Sequence, residues 1–352
     1  MPDSQLPFPL QPSQRNFPTS ISQSFVDWFF VAPSEWKRSY PPWMTPALLA
    51  TFLFCLSAVT ATRATQLMGS IAANFWRLLI ATLLLACWAH GSGQGWQGAG
   101  FSMLFWSGVI GFGLGDLALY MALPRIGSRL TLLIVHCVAA PFAAVVEWYW
   151  LQTGLSTTQA GCIVLILAGV ALALLPTRRK GNESTLLSTA GILYGLVGAL
   201  GQGMGAVMSR VAYDINAKEA FVLDGLGAAY QRILGGLMVA AVALWYSKWK
   251  SPFSEAPLQE TTNTPNHAPA KGKAWPFVLA TALAGPSLGV GCYQWALKTT
   301  PSGLVLPIVA TTPLMVIPLS AWMEGDRPPF RSIMGGLLAV VGVILLGRLS
   351  GT

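Results

Sequence analysis

One carboxylate inside an apolar stretch is the first feature that could carry chemistry. Asp116 lies in IGFGLGDLALYMAL (110–123), about seven residues from the end of its apolar run and so roughly 10 Å deep in a helix. A carboxylate there is costly unless it faces a cavity or a partner. Two interpretations are open: a site that couples to protons or binds a substrate ammonium group, and a structural pair with a neighbouring arginine or tyrosine. Tyr120, four residues on, shares its helical face.

Further polar groups lie in the neighbouring apolar runs. His136 and Glu147 are 11 residues apart, close to three helical turns, so they share a face of one helix. A histidine can relay protons near neutral pH or hydrogen-bond a neighbouring helix. A glutamate near the end of a run can instead reach the membrane interface. Gln202, Tyr293 and Gln294 are additional candidates for lining a cavity.

Two arginines lie inside apolar runs, at matching places in the two halves of the chain. Arg77 stands in NFWRLLIATLLLA and Arg232 in AYQRILGGLMVAA, at a shift of 155 residues. They are expected to hold an anionic group, such as a substrate carboxylate, or to fix the fold by pairing with acids and helix carbonyls, or to snorkel. Because both halves carry the arginine, the sequence favours the structural role.

The composition indicates a membrane environment for these groups. Of 352 residues, 53% are hydrophobic and 10% are charged, against roughly 25% charged in an ordinary soluble domain. A soluble protein with so few charges would expose large apolar patches. Although the net charge is +8, there is no basic face with interleaved aromatics, so nucleic-acid binding is not expected. The five cysteines and three histidines lack metal-ligand spacing, so no metal or cofactor is expected either.

Ten apolar runs of spanning length predict an all-α membrane protein with ten transmembrane helices. Tryptophans near the ends of the runs form the aromatic belt expected at the headgroup level. Residues 1–42, rich in Pro, Ser and Gln, are predicted to be a disordered tail. The runs are 44–62, 71–89, 101–123, 130–151, 159–176, 187–209, 222–246, 275–297, 303–323 and 333–349.

The ten runs form two copies of a five-run unit. With a shift of 174 residues, GFGLGDLALYMAL aligns with GPSLGVGCYQWAL, and Asp116 then meets Val290. Because five is odd, the second copy enters the membrane from the opposite side, which makes an inverted repeat. The predicted domains are the tail, a first repeat at 43–176, a basic linker at 177–186, and a second repeat at 187–349 that contains a mobile loop at 247–274.

Prolines interrupt corresponding runs of the two copies. Proline removes an amide donor and kinks a helix, and broken helices at matching positions are a sequence indication of a binding site. The sequence therefore predicts a cavity between the third, fourth, eighth and ninth runs. The prolines concerned are Pro141 in the fourth run and Pro307, Pro313 and Pro318 in the ninth.

Two motifs resemble the EamA family of the drug/metabolite transporter superfamily. NFWRLLIATLLLA is similar to the second helix of an EamA repeat, and EGDRPPFRSIMGGLLAVVGVILL is similar to its ending. In that ending an acidic residue and an arginine precede a Gly-rich last helix; Asp326 takes the acidic place, whereas the first half has Gln152. The resemblance covers about 43–349 and implies export or exchange of small metabolites such as amino acids, often driven by a proton gradient.

We therefore expect a multi-pass transporter of the cell membrane that exports small metabolites by alternating access, and not an enzyme. Its partners would be a small-molecule substrate and the lipid bilayer, with a homodimer left open. Two other classes are open as well. A structural or regulatory membrane subunit would move no solute and tolerate Asp116→Asn. A membrane-embedded lipid-modifying enzyme would need clustered acids or histidines, and the apolar runs hold few.

Overall fold

Apolar helices make up most of the described chain. The structure is a computed structural model that describes residues 41–92, 94–174, 188–250, 274–315 and 330–349, and these ranges contain no β-strand. A helix satisfies its backbone polar groups within its own segment, as a bilayer requires of a spanning chain. The helices are α1 (Met44–Met68), α2 (Ser70–Gly91), α3 (Phe101–Gly108), α4 (Asp116–Leu151), α5 (Thr157–Leu174), α6 (Thr189–Lys218), α7 (Gly225–Lys250), α8 (Trp275–Ala282), α9 (Val290–Thr299), α10 (Ser302–Val309) and α11 (Phe330–Leu349).

Seven helical segments are long and apolar enough to cross a membrane. They are Met44–Met68, Ser70–Gly91, Phe101–Ile126, Leu130–Leu151, Thr189–Lys218, Gly225–Trp249 and Trp275–Thr299. Shorter apolar helices coincide with the other predicted runs, at Thr157–Ala173, Ser302–Met315 and Ile333–Leu349. The all-helical prediction is thus confirmed for the described residues, whereas the count of ten spans stays a prediction.

The predicted connection between the third and fourth runs is helical. The sequence predicts a break at 124–129, but α4 continues without interruption through Pro124 and Pro141. A proline removes only its own amide donor. Near Pro124, the Arg125 side chain donates to the Met121 carbonyl.

Each half of the chain contains a short π-helical segment, and the two lie at the shift found in the sequence. The first π segment is Val109–Gly115 and the second is Leu283–Gly289, 174 residues later. Such segments insert an extra residue into a helical turn and are frequent at functional sites. Asp116 begins the α-helix after the first, and Val290 begins it after the second. The two halves therefore repeat the same departure from α-helical geometry.

Contacts between the two halves are reciprocal. α1 packs against α8, the second π segment and α9, while α6 packs against α3, the first π segment and α4. α2 packs on α7, and α5 on α11. Glycines allow this approach: a Cβ on Gly201 would lie 2.7 Å from the Gly115 Cα, and one on Gly108 would collide with the Arg232 carbonyl oxygen.

Large apolar side chains cover the outside of the helices. Phe52, Leu83, Val145 and Val164 are each more than half exposed, at 58%, 60%, 62% and 66%. An outer surface of this kind is suited to lipid rather than water, as expected of a multi-pass membrane protein. The tail up to residue 40, the basic linker, Pro318 and most of the predicted loop lie outside the described residues. α7 extends to Lys250, past the predicted start of that loop at 247.

Candidate functional site

A cavity of about 110 Å³ lies between helices of both halves. Since a water molecule needs on the order of 10–15 Å³ of such space, this volume admits several waters or a small organic group. Apolar side chains, among them Phe54 and Phe112, form most of the remaining wall. The cavity's polar wall consists of Ser57, Arg77, Asp116, Tyr120, His136 and Gln202.

Asp116 is held at the cavity wall by donors on both carboxylate oxygens. Arg77 forms an ion pair with Oδ2, and the Gln202 side chain donates to Oδ1. Arg77 is itself oriented by Asn74, whose Oδ1 accepts from Arg77 Nε at 3.0 Å and Nη2 at 2.8 Å. The Tyr120 ring lies 4.5 Å from the guanidinium carbon. The structural pairing considered for Asp116 is therefore present, and it faces a cavity as well.

Local sequence and helix crossing together position this cluster. Asn74 precedes Arg77 by three residues and Tyr120 follows Asp116 by four, so each pair shares a helical face. Gln202 comes from the other half of the chain. It reaches Asp116 because α6 crosses the first π segment at the glycines that immediately precede both residues.

His136 faces the same cavity from α4. Its side chain is partly exposed. Among the described residues it has neither an ion pair nor a hydrogen bond. An imidazole so placed can accept or donate a proton at a bound ligand or a water.

Glu147 has a different position from the one expected. It is 1% exposed and does not line the cavity, so it is enclosed by protein instead of facing the candidate site. It accepts from the Ser302 amide at 2.6 Å, at the first residue of α10, where a negative charge is favourable. Arg210 approaches Glu147 to 3.4 Å and donates to two carbonyls at the end of α9 at 2.8 and 3.1 Å. Glu147 and Arg210 thus join α9 to α10.

Arg77 and Arg232, which occupy matching positions in the sequence repeat, have different environments in the structure. Arg232 is 2% exposed, and in the described part of the chain it has no ion pair and no hydrogen bond. Its Nε is a buried donor without an acceptor. The guanidinium carbon lies 5.0 Å from the centre of the Phe112 ring. Because Phe112 also lines the cavity, Arg232 adjoins the cavity across one aromatic side chain.

Tyr293 and Gln294 are buried but do not line this cavity. Tyr293 packs edge-on against Phe54, with ring centroids 6.1 Å apart. Gln294 donates to the Ser209 hydroxyl at 3.2 Å, while its Oε1 has no partner among the described residues. Both side chains therefore belong to the protein interior next to α6 and α1.

The prediction from the prolines is wrong for one wall of the cavity, the wall assigned to the ninth run. Pro307 and Pro313 are buried in or just after α10, which contributes no lining residue, and Pro141 is exposed on α4. The eighth run contributes through Pro286, which lies inside the second π segment. A proline marks where a helix is perturbed, but the cavity depends on which helices meet. Its walls come from the first, second, third, fourth, sixth and eighth runs.

Several contributors were not identified from the sequence. Ser57 and Phe54 of α1 lie in an apolar run without any charge, so no local signal distinguishes them. Asn74 could have been found, because it is a polar residue one turn before Arg77 in the same apolar helix. No group of three His, Cys, Asp or Glu side chains within the described ranges is arranged to hold a metal ion.

Comparisons with known proteins agree with this architecture. The sequence model of the EamA-like transporter family matches residues 41–175 and again 189–348, which is consistent with two EamA-like repeats. No curated protein matches the chain. A solved structure described as "Crystal structure of protein" superposes with a TM-score of 0.62 at 16% sequence identity, covering 87% of this chain and 96% of that chain. At this identity the likeness concerns the fold alone.

Proposed function

This chain belongs to the EamA-like transporter family, and from that premise we propose that it exports small metabolites, such as amino acids, across the cell membrane by alternating access. The observation that carries the proposal is the cavity with Asp116 at its wall. It is a concave, largely apolar space with a few convergent polar groups, as small-molecule sites usually are.

Alternating access requires a site shared by two bodies that move against each other. The cavity meets this requirement, since Arg77 and Asp116 come from the first half of the chain and Gln202 and Gly285 from the second. The hydrogen bond from Gln202 to Asp116 links the halves directly. A movement of one half against the other would reshape the site and break this bond.

Asp116 is the coupling residue of the proposal. A proton on its carboxylate removes the charge that Arg77 binds, and loss of the proton restores the ion pair. The charged and titratable groups around it are Arg77 on α2, Tyr120 and His136 on α4, and Arg232 on α7, of which His136 can pass the proton. The Asp116 side chain would thus both bind the proton and accept the hydrogen bond from Gln202 that joins the two halves.

The proposal includes ten spans in two inverted repeats. It is supported by the two π segments 174 residues apart and by the reciprocal contacts of α1 and α6 with them. The two family matches are separated between residues 175 and 189, which includes the predicted linker at 177–186. Each half with five spans then has the opposite orientation to the other.

A solute screen in proteoliposomes tests the function. We expect flux of at least one small metabolite that increases with an imposed pH gradient, and loss of this gradient dependence in Asp116→Asn. The control is Glu219→Gln, which removes an exposed acid outside the cavity and should leave the flux unchanged. Absence of flux for every metabolite would favour a structural or regulatory subunit. Gradient-driven flux that survives Asp116→Asn would contradict the coupling role.

A further inference from the structure

We propose that Arg232 is a binding subsite for the carboxylate group of the transported metabolite, an inference that rests on the proposed function. Arg232 is 2% exposed, and within the described residues its guanidinium has no acid and no hydrogen-bond acceptor. A buried charge without a partner is strongly destabilising, and charged groups inside membranes mark substrate pathways. The Arg232 guanidinium carbon lies over the Phe112 ring, 5.0 Å from the ring centre.

The repeat shows which partners are missing. A shift of 155 residues places Arg232 on Arg77 and Ala229 on Asn74, and a shift of 174 places Val290 on Asp116. Asn74 and Asp116, the two groups that hydrogen-bond Arg77, are thus each replaced by an apolar side chain. Ala229 and Val290 are buried together in one apolar cluster. The second half therefore keeps the cation and lacks the anion.

The local charges leave room for one anion. Within the described ranges, two guanidinium groups, Arg77 and Arg232, lie near a single carboxylate, Asp116, which leaves one positive charge without a counter-charge there. Arg232 interacts electrostatically with Asp116, but from beyond ion-pair distance. Another buried acid, Glu147, is bound by Arg210 and the start of α10. A ligand that brings one negative charge would neutralise the centre.

The surroundings of Arg232 are shaped for its guanidinium. A Cβ on Gly111 or Gly205 would lie 2.8 Å from its Nη2, so a larger residue at either position would require the guanidinium to shift. The Tyr213 hydroxyl, which interacts electrostatically with Arg232, is a buried donor with no partner among the described residues. A carboxylate can accept two parallel bonds from a guanidinium fork and a third from a phenol.

Phe112 determines how a ligand reaches this group. Its ring lines the cavity and lies against the guanidinium, so displacement of this one aromatic side chain would open the cavity to Arg232. An organic acid then places its carboxylate on Arg232 and the rest of the molecule in the cavity. A free inorganic anion would use the same charge but would not need the cavity.

Binding to the purified full-length chain in detergent tests the subsite without any transport. The probes are acetate, L-lactate and L-phenylalanine, each compared with its primary amide, and sodium chloride is a separate arm. The readout is the ligand-dependent shift of the thermal unfolding midpoint. We expect a carboxylate to stabilise the protein where its amide does not. Arg232→Met should weaken that binding by about 10- to 100-fold, the loss of a charge-assisted hydrogen bond.

Val290 provides a matched pair of variants. Val290→Asp supplies the acid at the position that holds Asp116 in the other half, so it should compete with the ligand and abolish carboxylate binding, whereas Val290→Asn should retain it. Carboxylate binding that is equal in both variants overturns the assignment even if Arg232→Met does not fold. So does an amide that binds as well as its acid, stabilisation by chloride alone, or no stabilisation by any carboxylate.

The same data distinguish the two proposals. Carboxylate binding that depends on Arg232, combined with no flux in proteoliposomes, would refute transport and leave the subsite in place. Flux of neutral solutes with no preference for a carboxylate would refute the subsite and leave transport in place.

Discussion

Asp116 and Arg77 show what a charge requires inside this protein. Each has a charged partner and a neutral one: the carboxylate is bound by Arg77 and Gln202, and the guanidinium by Asp116 and Asn74. With these contacts the ion pair can be buried, whereas removal of either partner would leave the other as a destabilising buried charge. Arg232 is also buried, but it has none of the polar contacts that Arg77 makes.

Removing Arg77 tests this dependence. Arg77→Met leaves the Asp116 carboxylate buried without its cation, so we expect the free energy of unfolding to fall by about 3–5 kcal/mol. Adding Asp116→Asn to Arg77→Met should restore part of that loss, because the uncompensated charge is gone. Thermal unfolding in detergent measures both variants, with Arg63→Met, an exposed arginine of α1, as the control. A double variant no more stable than Arg77→Met would contradict the pairing argument.

At the scale of helices, close crossings depend on single glycines. α5 and α11 pack through Gly169 and Gly335, and a Cβ on Gly335 would lie 2.5 Å from the Ala173 amide nitrogen and the Gly169 carbonyl oxygen. Backbone atoms cannot move aside as the end of a flexible side chain can. The adjacent Gly336 has nothing within 4 Å of a Cβ, which makes the two neighbours a matched pair.

We therefore expect opposite effects from the same substitution at adjacent positions. Gly335→Ala should lower the free energy of unfolding by about 1–3 kcal/mol through overpacking. Gly336→Ala should be neutral or raise it by up to about 1 kcal/mol, since alanine is the better helix former. Unfolding midpoints of the two variants, measured side by side in detergent, decide the matter. Equal midpoints would show that the two helices do not cross at this point.

Glu147 and Arg210 act at the level of elements rather than at the site. The Glu147 carboxylate binds the amide end of α10, and the Arg210 guanidinium binds the carbonyl end of α9. One ion pair therefore binds both helix ends at the connection between α9 and α10. Each charge has the sign that the adjoining helix end favours. Burial of Glu147 is therefore explained without a role in proton transfer.

The whole molecule carries the repeat. If each half has five spans, the amino-terminal tail and the carboxyl terminus lie on the same side of the membrane and the linker at 177–186 lies on the opposite side. Single cysteines at these three places, in a background where the exposed Cys87 is replaced by serine, can be labelled in proteoliposomes with a membrane-impermeant reagent. We expect the termini to be labelled together and the linker from the other side. Labelling of all three from one side would contradict the inverted repeat.

Much about this protein was determined by the sequence itself. Low charge and long apolar runs predict membrane helices, because a bilayer selects the same local property at every residue of a span. The shift of 174 residues predicted a correspondence that the two π segments then showed in the backbone. Asp116 was identifiable for the same reason, since a carboxylate in an apolar helix is conspicuous one residue at a time.

The tertiary structure alone decided which groups meet. Asp116 could have paired with either arginine, and the packing of α2 and α6 against α4, which begins at Asp116, assigned it Arg77 and Gln202. The same packing left the Arg232 Nε without an acceptor among the described residues. It also placed apolar side chains of α1 in the cavity wall instead of the prolines of α10. The physical reason is that hydropathy fixes the depth of a residue in a membrane, whereas pairing depends on close approach between helices distant in the chain.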